Sequence, residues 1–218
     1  MIEQREELGE PSVLKKRLLA LAALDIIVCA EEWLRYHSFA ANWAEELSLA
    51  KVDNGSGDHL YIVFGSQGVI LKGFDHESAL SPHAGDVYEV WPGIYDQVPD
   101  SLMAYLQDPA LEHDVVTFCI WRASNEGQWQ QGEVQIPQGA DDGSRWLLGT
   151  ISKSPEDYVE WAEGYYDLSL DMETVKQIFA GALITADMIQ LLYPDRDVEQ
   201  ALMELNTLGI HKKMTSQE

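Results

Sequence analysis

The sequence predicts an α+β fold, with an N-terminal helix, a central antiparallel β-meander and a helical C-terminal part. Three observations support this class. Apolar residues recur at helical spacing between 12 and 36, three short runs of β-forming residues lie between 47 and 74, and helix-capping residues recur after 154. We expect residues 1–150 to form the α+β core and residues 151–218 to form a helical part packed on the same domain.

The first predicted element is a helix within 12–36, with Ser12 as its N-cap. Because apolar residues occupy nearly every face from 18 to 30, this helix should be covered on most sides. Asp25 lies in that stretch and needs a partner, since an unpaired buried carboxylate is costly. The aromatic series that follows is expected to pack in the core: Trp33, Tyr36, Phe39 and Trp43.

The predicted meander consists of "LSLAKV" (47–52), "HLYIVF" (59–64) and "VILKGF" (69–74). Asn54-Gly55 lies between the first two runs, and this step is typical of a hairpin with a type I′ turn. The surrounding "DNGSGD" is interpreted as a turn, because its glycines stand where a calcium-binding loop needs ligands.

The middle of the chain carries weaker patterns. Residues 76–100 hold two Pro-centred turns, and Ser101 begins a short predicted helix. "DVVTFCIWR" (114–122) predicts a buried strand. The stretch 123–144 is rich in glycine and glutamine, which predicts a long loop or a mobile hairpin.

The C-terminal third is predicted to be helical. Ser154, Pro155 and Asp157 form a near-complete capping arrangement for its first helix. Three further helices are predicted to start at Asp171, Thr185 and Asp197, and the last of them should end at Gly209.

The charge balance limits the partners. The 218 residues include 14 Lys and Arg against 37 Asp and Glu, a formal net charge of −23. Such a chain repels phosphates and anionic lipid head groups, so nucleic acid and membrane surfaces are disfavoured and a basic protein partner is favoured. The alternative is that the acidity only keeps the protein in solution.

Two features bear on localisation. Cys29 and Cys119 both lie in apolar runs and are expected to be buried, reduced thiols. The segment 15–30 imitates an export signal, but the acidic residues before it and Asp25 within it argue against one. We therefore expect a cytoplasmic protein.

The strongest polar cluster is "KGFDHES" (72–78), which places Asp75, His76 and Glu77 directly after an apolar run, where functional residues often lie. It is interpreted first as a strand end whose Asp75 or Ser78 bonds the backbone, then as a binding site, then as an active site. With Asp86, these residue types can bind a hard or borderline metal, but no metal-binding motif is present. No cofactor is predicted.

A second candidate is an acidic row on the first C-terminal helix. Its members recur three or four positions apart, which places them on one side of the helix. Tyr158, Trp161 and Tyr165 share the other side and should pack inward. The row is the predicted partner-binding surface, with a merely solvated face as the alternative: Glu156, Glu160, Glu163 and Asp167.

Several segments together resemble a family of uncharacterised bacterial proteins, from about Trp33 to the last helix: "NGSGD", "GVILKGFDHES", "WPGIYDQVP", "TFCIWR" and "YVEWAEGYYD". This resemblance implies no catalytic residues. A second resemblance is to the SUKH-type immunity superfamily of bacterial toxin systems. Gly57-Asp58, "HLYIVF", Gly68-Val69 and His76-Glu77 follow the order found there. It implies an acidic α+β protein that binds and neutralises a toxin and performs no chemistry.

The sequence thus favours a non-enzymatic acidic protein that binds a basic partner, and the second resemblance implies an immunity protein against a basic toxin. One alternative is a small hydrolase, metal-assisted or not, that uses the Asp75–Glu77 region. Another is a structural subunit with no partner beyond itself.

Overall fold

The computed structural model describes residues 8–151 and 153–209 and confirms the predicted α+β class. Its strands form one sheet in the order β1-β2-β3-β4-β5-β6, and the described pairings from β2 to β6 are antiparallel. The strands are β1 (His37–Ala44), β2 (Leu47–Asp53), β3 (His59–Gly65), β4 (Gly68–Phe74), β5 (Phe118–Ala123) and β6 (Gln130–Gln131). The α-helices are α1 (Pro11–Val28), α2 (Asp100–Met103), α3 (Ser144–Gly149), α4 (Pro155–Tyr166), α5 (Met172–Phe179), α6 (Ala186–Leu192) and α7 (Val198–Thr207).

The described chain divides into two compact units. The first holds residues 8–11 and 42–151, and the second holds residues 12–41 and 153–209. Most of α1 therefore belongs with the C-terminal helices, whereas the sequence-based division groups it with the sheet. Hydrogen bonds explain this grouping, because α1 is bonded to α4 through Asp25 and to residue 196 through the Ile26 carbonyl.

The predicted meander is confirmed, with a longer first turn than a type I′ hairpin. The last paired residues of β2 and β3 are Asp53 and His59, so a five-residue loop joins the strands. Asn54 stabilises this loop, because its side-chain carbonyl accepts hydrogen bonds from the backbone N–H groups of residues 56 and 58. Gly55 and Gly57 supply the positive φ angles that the loop requires.

The first helix differs from its prediction at both ends. It begins at Pro11, so Ser12 lies in its first turn and is not the N-cap; proline suits this position because its φ is already fixed near the helical value. The helix ends at Val28, and a 3₁₀ turn (Glu32–Leu34) and β1 follow. The β-strand at 37–44 was not predicted.

Because α1 ends early, the aromatic residues that follow it are not all buried as predicted. Tyr36 and Phe39 are buried, as predicted, and Trp43 is half-buried. Trp33 is 80% exposed, so its predicted place in the core is wrong. The helical period that would bury Trp33 has already ended, and the short 3₁₀ turn presents the side chain to solvent.

The prediction that Asp25 has partners is confirmed. Its fully buried carboxylate accepts hydrogen bonds from the His37 backbone N–H at 2.7 Å, from His37 Nδ1 at 3.0 Å and from the Tyr158 hydroxyl at 2.8 Å. Burial raises the pKa of Tyr158 and of Tyr166, and the nearby Asp25 charge raises both further, so both phenols remain neutral.

The helix caps of the C-terminal part are confirmed. Ser154 and Asp157 form a reciprocal capping box at the start of α4. The N-caps of α5, α6 and α7 each accept a hydrogen bond from the backbone N–H three residues later, and they are the predicted Asp171, Thr185 and Asp197.

Both cysteines are free and buried, as predicted, and burial raises the pKa of both thiols: Cys29 and Cys119. The stretch 123–144 contains the two-residue strand β6 and is otherwise irregular until α3. Among the helices that the structure describes, none has the length and apolar character needed to cross a membrane.

Candidate functional site

The predicted Asp75-His76-Glu77 site follows β4, and two of its residues meet the loop between β2 and β3. Asp58, at the end of that loop, accepts hydrogen bonds from the His76 backbone N–H at 2.8 Å and from the His76 ring Nδ1 at 2.7 Å. The ligand atoms of Asp58, Asp75 and His76 all lie within 4.8 Å of one another. Asp58 is buried, Asp75 is half-buried and His76 is exposed. Two loops thus form a carboxylate–imidazole cluster.

The members of this cluster influence one another's protonation. Burial raises the pKa of Asp58, but the hydrogen bonds from His76 and Asn54 together outweigh burial and hold that pKa below its usual value. The same bond to Asp58 raises the pKa of His76. Burial raises the pKa of Asp75, and the nearby carboxylates of Asp58 and Asp141 raise it further. The imidazolium form of His76 is stabilised, which suits an ion pair better than a general base.

The donor set matches metal chemistry only in part. Two carboxylates and an imidazole are ligand types that zinc or manganese accepts. Asp58 Oδ1 and His76 Nδ1 are already bonded to each other, and Asp75 Oδ1 accepts the Glu77 backbone N–H at 2.9 Å. A metal would have to replace these bonds.

The cluster also contains the His–Asp pair of a hydrolase triad. In the described part of the chain the His76 ring is hydrogen-bonded to Asp58, and no described hydroxyl or thiol is hydrogen-bonded to that ring. The arrangement therefore holds an imidazole and its orienting carboxylate without a nucleophile in contact with the ring. What it does in this structure is to join the β2–β3 loop to the end of β4.

The turn interpretation of this segment has direct support. The Asp75 carbonyl accepts the Ser78 backbone N–H at 3.2 Å, and the Ser78 hydroxyl donates to the Asp141 carbonyl at 2.8 Å. Glu77 is exposed, and Asp86 is not part of the described ligand cluster. Sequence reasoning did not connect Asp58 with His76, because it interpreted Asp58 as part of the turn "DNGSGD" and of the SUKH-type order; the Gly-Asp step before a strand is the signal that marks it.

A second cluster of titratable groups lies within the sheet, around Lys72 of β4. The Lys72 side chain is fully buried, and its ammonium donates to the carbonyls of Glu112 at 2.7 Å and Val115 at 2.6 Å. The ammonium lies 5.2 Å from the centroid of the Tyr61 ring and 3.5 Å from His59 Nε2. Burial lowers the pKa of Lys72 to about 8; burial and the Lys72 charge lower the pKa of His59 to about 4. Lys72 thus fastens residues 112–115 to the sheet.

The buried charge of Lys72 predicts a pH dependence of stability. Because the pKa of Lys72 is about 8 in the fold and higher in the unfolded chain, the unfolded state binds more protons between these values. The free energy of unfolding of the wild type, relative to Lys72→Met, should therefore rise by about 2–3 kcal/mol from about pH 7.5 to about pH 10.5, and this gain is lost as the pH falls through about 8. Urea unfolding at several pH values measures it.

Lys51 of β2 is the matched control. Burial lowers its pKa, but the bond to Asp53 outweighs burial and raises the pKa above its usual value. The free energy of unfolding of the wild type, relative to Lys51→Met, should therefore fall as the pH rises, which is the opposite of the change expected for Lys72. A Lys72→Met difference that stays constant across this range would contradict the assigned burial cost.

The predicted acidic row on α4 is partly engaged by the protein itself. Glu156 forms an ion pair with Lys176 at 3.1 Å. Glu163 is half-buried and accepts the backbone N–H of Leu170 at 2.9 Å. Glu156, Glu160 and Asp167 are all exposed, and the charge of Glu156 is offset by Lys176.

The opposite side of α4 packs inward only at its start. Tyr158 is fully buried and Trp161 is half-buried. Tyr165 is 45% exposed, so its predicted inward packing is wrong. It stacks on Trp161 at a centroid distance of 5.0 Å and meets the Tyr36 ring edge-on at 5.3 Å.

A groove of about 600 Å³ lies in the first unit, between the turns of residues 79–96 and the segment 133–135. Three exposed carboxylates line it, from Glu89, Asp96 and Glu133, and none forms an ion pair with a described residue. The described lining residues include no basic side chain. The apolar part of the lining comes from Ala79, Pro82, Ala84, Val87, Trp91 and Pro92. The groove thus combines apolar surface with uncompensated negative charge.

The groove is built on a close approach of two backbone segments. A Cβ atom on Gly132 would lie 1.9 Å from the carbonyl oxygen of Gly93, and one on Gly93 would lie 2.4 Å from the carbonyl oxygen of Glu133. Gly93 also has a φ of 93°, which favours glycine. The Trp91 indole N–H donates to the Gln135 carbonyl at 3.3 Å and joins the same two segments. These contacts fix the shape of the groove.

Sequence reasoning missed this groove. It interpreted "WPGIYDQVP" as Pro-centred turns and as part of a family resemblance, and 123–144 as a long loop or a mobile hairpin. The acidic residues that converge come from positions 89, 96 and 133, with no local pattern between them. The Trp-Pro-Gly step at 91–93 is the signal that marks a position with a fixed turn and an aromatic side chain.

Comparisons with protein-family models, with curated proteins and with solved structures found no match for this chain. The resemblances to a bacterial family and to the SUKH-type superfamily therefore stay predictions.

Proposed function

We propose that this chain is a non-enzymatic cytoplasmic protein that binds a basic protein partner in the groove of its first unit. The proposal is supported by the lining of this groove, where the carboxylates of Glu89, Asp96 and Glu133 lie beside apolar residues. The described lining residues include no basic side chain. Partners bind strongly where an anchoring side chain fills a pocket, and charges around it guide association. The groove offers both features.

The whole-chain charge of −23 supports the same proposal, because it attracts a basic protein from a distance. The α4 row is the weaker candidate surface, since Glu156 and Glu163 already bind other parts of the protein. An immunity protein that neutralises a basic toxin is the form of this function that the SUKH-type resemblance implies.

Affinity capture with two charge-matched variants tests the proposal. The groove variant carries Glu89→Gln, Asp96→Asn and Glu133→Gln. The helix variant carries Glu156→Gln, Glu160→Gln and Asp167→Asn, so each variant loses three negative charges.

The wild type and the helix variant should capture the same basic protein, identified by mass spectrometry, from a lysate of the cells that produce this chain. The groove variant should retain it at least about tenfold less well, since several rim charges act together. Equal capture by the groove variant, or capture of an acidic protein, would refute the proposal.

A further inference from the structure

The groove contains an aromatic ring among its carboxylates, and this combination distinguishes between the two strongly basic side chains. We propose that the groove recognises the guanidinium group of an arginine, on an extended segment of the partner, in preference to the ammonium group of a lysine. The inference rests on the proposed function, because it names the cationic group that the same groove binds.

Trp91 is the aromatic residue in the groove lining. Its indole N–H already donates to the Gln135 carbonyl at 3.3 Å, so the π surface is what the ring offers to a ligand in the groove. The same bond holds the ring in place, because Gln135 lies on the opposite segment. A guanidinium is flat and weakly hydrated and stacks on such a ring, whereas an ammonium is compact and strongly hydrated.

The groove also presents three carboxylates, from Glu89, Asp96 and Glu133. Glu133 is oriented by Gln97, whose side-chain amide donates to Glu133 Oε1 at 3.2 Å. Glu89 and Asp96 are exposed and form no ion pair with a described residue. A guanidinium presents five N–H donors in a fixed plane and can bind carboxylates in a bidentate way while it stacks, which an ammonium cannot do.

The volume of the groove bears on the form of the ligand. At about 600 Å³ it exceeds what one side chain fills, and it falls within the range of about 300–1,000 Å³ that encloses whole small ligands. An arginine together with its neighbouring residues therefore suits it better than a lone side chain.

Isothermal titration with three capped pentapeptides tests the inference on the full chain at low ionic strength. The peptides are identical except at two positions, which carry arginine, lysine or the neutral analogue citrulline. We expect the arginine peptide to bind at least about fivefold more tightly than the lysine peptide. The citrulline peptide should show no measurable binding.

Substitutions of tryptophan isolate the role of the ring. Trp91→Ala should weaken binding of the arginine peptide by about tenfold, and Trp91→Phe should weaken it less, because it keeps a ring without the N–H to Gln135. Trp146 is the control: it is 47% exposed in the same unit and lies outside the groove, so Trp146→Ala should leave binding unchanged.

The outcomes separate this inference from the proposed function. Equal affinity for the arginine and lysine peptides, with both lost in the groove variant, would overturn the guanidinium preference and leave an acidic binding groove. Unchanged binding in Trp91→Ala would overturn the role of the ring. Absence of binding by every peptide would also overturn the inference, while the captured protein still decides the proposed function.

Discussion

Replacement of Asp25 by alanine is expected to lower the free energy of unfolding by about 3–5 kcal/mol. The carboxylate is fully buried and accepts hydrogen bonds from both the backbone and the ring of His37 and from Tyr158. Its removal leaves these donors buried without an acceptor, and each such group costs about 1–3 kcal/mol. Urea unfolding followed by far-ultraviolet circular dichroism measures the loss.

Two further variants make this test specific. Glu160→Ala removes an exposed carboxylate of α4 and should change stability by less than about 0.5 kcal/mol. Tyr158→Phe removes one of the donors to the buried Asp25 carboxylate and should cost about 1.5–3 kcal/mol. An Asp25→Ala protein as stable as the Glu160→Ala control would contradict this account, because it would show that the hydrogen bonds to Asp25 contribute little to the stability of the second unit.

Replacement of Gly132 by alanine should destabilise the first unit by about 3 kcal/mol and abolish ligand binding in the groove. The added Cβ would lie 1.9 Å from the Gly93 carbonyl oxygen and 2.9 Å from the Ile94 carbonyl oxygen. Both atoms belong to the backbone, so no side-chain rotation relieves the clash. Either the two segments separate or the turn at 91–94 changes its conformation.

Gly127→Ala is the control for this substitution. Gly127 lies in the same part of the chain, and a Cβ there has no atom within 4 Å. We expect its stability to stay within about 0.5 kcal/mol of the wild type. A Gly132→Ala protein that unfolds like Gly127→Ala and still binds the arginine peptide would contradict the close approach on which the groove is built.

Features set by neighbours in the sequence were predictable. The three strands of the meander follow from runs of β-forming residues, and the caps Ser154, Asp171, Thr185 and Asp197 act over three residues. The need of Asp25 for a partner followed from its apolar surroundings alone. The identity of that partner did not, because Tyr158 lies 133 residues away in the chain.

Features set by tertiary structure were not predictable. The end of α1 at Val28 decides that Trp33 is exposed, and no strong helix-stop residue marks that end. Asp58 meets His76 only because β3 and β4 pair as neighbours and bring their outer loops together. The groove depends on the contact of Gly93 with Gly132, which a local pattern does not reveal.

The association rate constant of the captured partner tests the central claim most directly. It is measured for the wild type, the groove variant and the helix variant while added salt shortens the Debye length from about 10 Å to about 3 Å. At low salt the groove variant should associate about tenfold more slowly than the wild type, and its rate constant should change less as salt is added. The helix variant should associate at a rate close to that of the wild type. A slow helix variant beside an unchanged groove variant would contradict the claim, because it would place the partner on α4.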